Sequence, residues 1–193
     1  ALYRHMWQHI AMKWNSLLKL IASEPLFESA QLLSGSESPE EIRRQLSRWT
    51  ALGRLMQLRR GMYALAPPHT KTAPHPLFIA SRLHRPSYVS LQSALAYHGV
   101  IPEAVPTVTS VTTARPCKIS TPLGVFVYRH VQVPFFHGYA QVEAVPGQRC
   151  FMADAEKALL DLVYLTPGRV TPEQVDELRL DAEDGLDPAR LRA

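Results

Sequence analysis

Apolar positions recur at helical spacing in WNSLLKLIAS (14–23), where Leu17, Leu18, Leu20 and Ile21 predict an amphipathic helix. Glu24-Pro25 ends it, LFESAQLL (26–33) reads as a short second helix, and Gly35 breaks the chain. SPEE (38–41) is a helix-start signature, with Ser38 at the cap, Pro39 at the first helical position and Glu41 able to reach back to the cap. The helix it opens is predicted to run to about Leu52. Ile42, Leu46, Trp49 and Gly53 make its buried stripe, while Arg43, Arg44, Ser47 and Arg48 fall on the opposite side. Two strands follow, LMQL (55–58) and MYAL (62–65), joined by an RRG turn in which Gly61 supplies a positive φ. Trp49 and Tyr63 lie on the apolar side and read as core residues.

The periodicity stops at APPHTKTAPHP (66–76), whose four prolines resist both helix and ladder. Beyond it, SYVSLQSALAYHGVIP (87–102) predicts a helix capped by Ser90 and ended by Gly99 and Pro102, with Leu91, Ala94 and Leu95 inward. VPTVTSVTT (105–113) alternates as a strand, CKISTPLGVFVYRHV (117–131) as a hairpin turning on Pro122 and Gly124, and PGQRCFM (146–152) as one more short strand. ADAEKALLDLVYL (153–165) predicts an amphipathic helix capped by Asp154, with Ala158, Leu159, Leu162 and Val163 inward. Lys157 and Asp161 form an outward i, i+4 pair in this reading, worth only a few tenths of a kcal/mol.

These elements predict an α+β protein: an N-terminal winged helix-turn-helix domain followed by a small mixed α/β C-terminal domain. The expected boundaries are an extension over 1–12, the winged domain over 13–66, a Pro-rich linker over 67–76, the C-terminal domain over 77–170 and an acidic tail over 171–193. Three helices followed by a hairpin is the winged-helix order, in which the third helix enters the DNA major groove and the hairpin lies along the backbone or minor groove. Arg44, Ser47 and Arg48 are then candidates for base edges or phosphates, with Arg43 beside them. Arg59 and Arg60 are candidates for the backbone.

Charge sharpens this picture. The formal net charge is +4, but seven acidic residues against three arginines make residues 171–193 net −4, leaving +8 on residues 1–170. A basic body suits an anionic partner. The 193 residues are 46% apolar and 20% charged, as in an ordinary globular protein, and no run approaches the ~18 apolar residues that span a bilayer. The opening ALYRHMWQHIAMKW lacks an apolar segment followed by a small-residue cleavage site. Cys117 and Cys150 have no metal-type spacing and read as reduced core thiols, so a cytoplasmic, membrane-free protein is expected.

No catalytic constellation emerges: no P-loop, GxSxG, HExxH or Gly-rich dinucleotide turn occurs. Asp154, Glu156 and Lys157 invite a nuclease reading, but near-consecutive helical positions point apart and no second acidic element joins them. His98, His130 and His137 are scattered over different elements. His5 and His9 could share a helix face but lack a third ligand. The expectation is a non-enzyme with no cofactor and no metal.

In combination, the capped basic helix, LMQLRRGMYAL, YVSLQSALAYHGVIP and AEKALLDL resemble the AbiEi family, the antitoxins and regulators of type IV toxin–antitoxin (abortive infection) systems. The likeness spans about residues 13–166. It departs at Ala155, where many relatives carry proline. The resemblance implies a winged-helix domain that binds double-stranded operator DNA and represses its own operon. It also implies a C-terminal domain that counters a nucleotidyltransferase-like toxin encoded by the neighbouring gene. Residue by residue, Arg59 and Arg60 would be the wing arginines, and Arg43, Arg44, Ser47 and Arg48 the recognition-helix candidates. Two alternatives stay open: a winged-helix protein-interaction module, and a ligand-sensing regulator without a toxin partner.

Overall fold

The computed structural model describes residues 12–21, 23–34, 38–102 and 106–168, together with positions 171, 178–180, 186–187 and 191. His5, His9 and most of the acidic tail therefore lie outside the described residues. The architecture is mixed α+β, with five α-helices and two sheets among the described residues. The chain divides into two compact units between Pro74 and His75, inside the proline-rich stretch.

In the first unit, α1 (Trp14–Ile21) is followed by β1 (Phe27–Glu28) and a 3-10 helix (Ser29–Ser34). Then come α2 (Pro39–Ala51), β2 (Leu55–Arg59) and β3 (Met62–Leu65), which complete an antiparallel sheet of order β1-β3-β2. Leu17, Ile21, Phe27, Leu32, Ile42, Leu46, Trp49, Leu55, Tyr63 and Leu65 form one apolar core. Trp14 meets Trp49 edge-on at 5.2 Å between ring centroids, and Phe27 stacks on its cross-strand partner Tyr63 at 5.7 Å. Each such ring pair adds about 1 kcal/mol beyond the area it buries.

The short second helix expected over 26–33 is corrected. Pairing of Phe27 with Tyr63 draws the chain into a strand, and the Gln31 side chain accepts from Glu28 N–H at 3.0 Å to start a 3-10 turn. Tertiary pairing overrides a weak local preference here. The cap of α2 is as expected at Ser38, whose hydroxyl accepts from Glu41 N–H at 3.2 Å. The Glu41 side chain is not the return half of that box. It holds Arg44 Nη1 at 2.8 Å and Gln45 Nε2 at 3.4 Å. Gly53 is exposed rather than buried, and its φ of +67° ends the helix.

The second unit opens with α3 (Pro76–Leu83), an element the sequence reading left unassigned. Pro76 initiates it, and His75 Nδ1 accepts from Leu77 N–H at 3.3 Å. Then come β4 (Ser87–Val89), α4 (Leu91–Tyr97), β5 (Thr107–Thr112), β6 (Cys117–Thr121) and β7 (Gly124–His130). A 3-10 turn (Val133–Phe135), β8 (Tyr139–Val145), β9 (Gln148–Ala153) and α5 (Ala155–Leu165) complete the unit. The strands make one mixed sheet of order β6-β7-β5-β4-β9-β8, with β5/β7 and β4/β9 parallel. Residues 87–89 are thus a central strand, not the first turn of a helix, and β8 is a strand the sequence reading omitted. Both cysteines are free thiols, Cys150 buried and Cys117 half-buried.

The largest correction concerns α5. Lys157 and Asp161 are not an outward pair: their side chains are 9% and 2% exposed, with Nζ 2.6 Å from Oδ1. The other carboxylate oxygen of Asp161 accepts from Tyr88 Oη–H at 2.9 Å and Ser90 Oγ–H at 2.7 Å. Lys157 Nζ also donates to Phe135 O at 2.8 Å. Asp154 caps the helix as expected, accepting from Lys157 N–H at 2.8 Å, and Ala158 is buried, whereas Val163 is exposed. Ser90 precedes α4 at the cap position, yet its hydroxyl serves Asp161 instead of the helix amides. Burial, then the Asp161 charge and hydrogen bond, pushes the Tyr88 phenol far above its ordinary value, so it stays protonated and donating.

Candidate nucleic-acid interface

Helix α2 and the β2–β3 hairpin carry all six residues singled out from the sequence. Ile42, Leu46 and Trp49 anchor α2 in the core, which leaves Arg43, Arg44, Ser47 and Arg48 on its exposed side. In the hairpin, Arg59 ends β2, and Arg60 and Gly61 make the turn with Gly61 at φ +82°. Ser29 N–H donates to Gly61 O at 2.8 Å, which fastens the tip to the start of the 3-10 helix. A Cβ on Gly61 would meet Ser29 Oγ at 3.3 Å, so both the turn and the contact favour glycine. Leu58 and Met62 on either side of the tip are buried, so packing explains the strands but not the arginines.

The arginines are not equivalent. Arg44 forms an intrahelical pair with Glu41 at 2.8 Å, Arg43 a loose one with Glu40 at 3.8 Å, and Arg59 reaches Glu28 at 3.7 Å. These pairs are solvent-exposed and worth well under about 1 kcal/mol each, so a phosphate could displace them. Arg48 and Arg60 have no carboxylate within 4.0 Å among the described residues. The helix arginines and the hairpin arginines thus form two groups on separate elements, each with one uncommitted member. Glu40 and Glu41 occupy the first turn of α2, where they suit the helix dipole but make that end poor for phosphate.

One cation in this unit was missed from the sequence. Arg54, between α2 and β2, is exposed with its guanidinium 5.4 Å from the centre of the Trp14 ring. The Leu52-Gly53-Arg54 exit from the helix offered a signal for it, since a positive-φ glycine there turns the next side chain back toward α1.

Elsewhere, His98 Nε2 is 2.8 Å from Ala153 O and His130 Nδ1 3.1 Å from Ala114 O, so both rings serve the backbone. Among the described residues no three His, Cys, Asp or Glu side chains gather closely enough to hold a metal, and no helix is long and apolar enough to cross a membrane. No protein-family model matches the chain, and no curated protein matches it.

Proposed function

We propose that the chain is a cytoplasmic, non-enzymatic DNA-binding transcriptional regulator, acting as an AbiEi-type antitoxin that represses its own operon and counteracts a nucleotidyltransferase-like toxin. One observation carries the DNA-binding part: Arg43, Arg44, Ser47, Arg48, Arg59 and Arg60 are all exposed, on one helix and the hairpin that follows it. The element order supports the same reading. Helix, short strand, 3-10 turn, helix and hairpin, with β1 beside β3, is compatible with a winged helix-turn-helix in which the 3-10 turn stands for the second helix. In that reading α2 is the recognition helix and the Arg59-Arg60 tip is the wing. Arginine suits both tasks, because its planar fork holds guanine O6/N7 or a phosphate bidentately. The antitoxin part rests on the motif resemblance over residues 13–166.

Gel shifts with the DNA upstream of the chain's own gene test this reading. A retarded complex at low salt that unrelated DNA competes for poorly is the expected result. Absence of any complex at low salt would end it.

A protein-interaction module draws on a different observation, the occupation of Arg43, Arg44 and Arg59 by Glu40, Glu41 and Glu28. A protein partner held with unchanged affinity after Arg48→Ala and Arg60→Ala, without any DNA complex, would favour that module.

A further inference from the structure

The second unit carries a half-open cavity of about 660 Å³ lined by the end of α3, the connection into β4, and the β8–β9 pair. Three of its lining residues are arginines, Arg82, Arg85 and Arg149, and four are aromatic, Phe78, Phe136, Tyr139 and Phe151, with the Arg82 guanidinium 5.2 Å from the centre of the Phe78 ring. No acidic side chain lines it among the described residues. Among the described residues, none of the three guanidiniums lies within 4.0 Å of a carboxylate. The nearest candidate by register, Glu143 opposite Arg149, has its Oε1 on Gly147 N–H at 2.6 Å. Solubility would be served as well by three dispersed charges. Gathering them around one concavity costs mutual repulsion, which a bound anion relieves.

The strand register places the rings beside the charges. Gln141 pairs with Phe151 and Glu143 with Arg149, so Phe151 and Arg149 share a face two residues apart. Phe151 is 44% exposed, an open ring face on the edge of a cavity. Tyr139 meets it edge-on at 5.9 Å, meets Phe136 at 5.2 Å, and stacks on Tyr88 at 4.5 Å with only 15° between planes.

This wall is held from behind. Tyr88 is fixed by Asp161, and Lys157 holds Phe135 O next to Phe136. A Cβ on Gly138 would come within 2.9 Å of Lys157 Cγ, so the chain entering β8 is packed against that side chain. On the other side, Ser81 Oγ accepts from Phe151 N–H at 3.3 Å, and Ser81 O accepts from Arg85 Nε–H at 3.4 Å, which ties α3 and Arg85 to β9. The buried ion pair of α5 thereby supports a preformed site, and preformed sites bind without an ordering cost.

We propose that this cavity binds a free nucleotide, with its phosphate on Arg82, Arg85 and Arg149 and its base against the Tyr139–Phe151 wall. Guanidinium forks match phosphate geometry, and aromatic faces stack any base. The volume lies in the range of small-molecule sites and exceeds what inorganic phosphate alone would fill. This site goes beyond the DNA-binding reading and does not depend on it.

Calorimetric titration of the full chain with the four ribonucleoside 5′-monophosphates, the unphosphorylated nucleosides and inorganic phosphate tests the proposal. The monophosphates should bind about tenfold or more tightly than either the nucleosides or inorganic phosphate. Arg149→Gln and Arg82→Gln should each weaken binding about tenfold, and Phe151→Ala about fivefold or more, in variants whose melting temperature stays near the parent's. Arg48→Ala with Arg60→Ala should leave it unchanged, separating this site from the first unit. Absence of saturable binding by any of the four, or affinity unchanged in folded Arg149→Gln and Arg82→Gln, would overturn the proposal. Tighter binding of a 5′-phosphorylated oligonucleotide than of the mononucleotide would overturn the assignment to a free nucleotide.

Discussion

The two units treat charge in opposite ways. The first has an all-apolar core and leaves its arginines outside, each tied by at most one exposed carboxylate. The second draws Lys157, Asp161 and Glu156 inside, where they hold Tyr88, Ser90, Phe135 O and Asp187 N–H. In the first, charge is free to meet another molecule and contributes little to folding. In the second, the charges of α5 are committed to architecture, and their removal leaves unpaired groups in a low-dielectric interior.

The sharpest way to break this contrast is at Asp161. Asp161→Ala should destabilise the second unit by about 3–5 kcal/mol, because Lys157, Tyr88 and Ser90 all lose their shared acceptor. Chemical denaturation should show that transition shift while the transition of the first unit stays in place. A loss below about 1 kcal/mol would place the pair in solvent. Gly138→Ala comes next, at roughly 1–3 kcal/mol, since φ is +73° and the new methyl would press on the Lys157 stem. In the first unit, Ser38→Ala should cost only about 1 kcal/mol, the loss of one cap bond to Glu41 N–H. Thermal melts of the three variants should rank in that order.

The smallest effect is one of pH. Burial raises the Cys150 thiol from 9.0 to about 11, so the folded chain keeps a proton that the unfolded chain releases between those values. Its contribution is whole below pH 9 and is lost as pH rises through 11, and Tyr88, also raised, acts in the same direction above pH 10. Melting temperature should therefore fall more steeply between pH 9 and 11 in the parent than in Cys150→Ala. Equal slopes would contradict the burial of that thiol.

The same contrast explains what could be read from the residues alone. Helices α1, α2 and α5 and the hairpins β2–β3 and β6–β7 were legible as elements, because each shows a periodicity, a cap or a turn residue, although the apolar stripe of α5 did not mark its buried face. The central strand β4 was not. Ser87, Tyr88 and Val89 are all buried, so no alternation marks them as a strand. Helix α3 failed for the same reason: Leu77, Phe78, Ile79, Ala80, Ser81 and Leu83 are buried together, and Pro76 reads as a breaker though it starts the helix. For Lys157 and Asp161, i, i+4 spacing is identical inside and outside a protein. Only Tyr88 and Ser90, about seventy positions earlier, decide which applies. The exposure of Arg43, Arg44, Ser47, Arg48, Arg59 and Arg60 was legible from pattern and turn chemistry. Their intrahelical and cross-strand carboxylate partners were not weighed.

The most direct measurement is fluorescence anisotropy of labelled upstream DNA across a salt series, for the parent chain and for Arg48→Ala with Arg60→Ala. Each arginine that leaves a phosphate should flatten the slope of log K against log salt by about 0.9. The double variant should therefore bind more weakly to every sequence, with a slope shallower by roughly 2. An unchanged slope and affinity in the double variant would contradict the assignment of these exposed arginines to DNA.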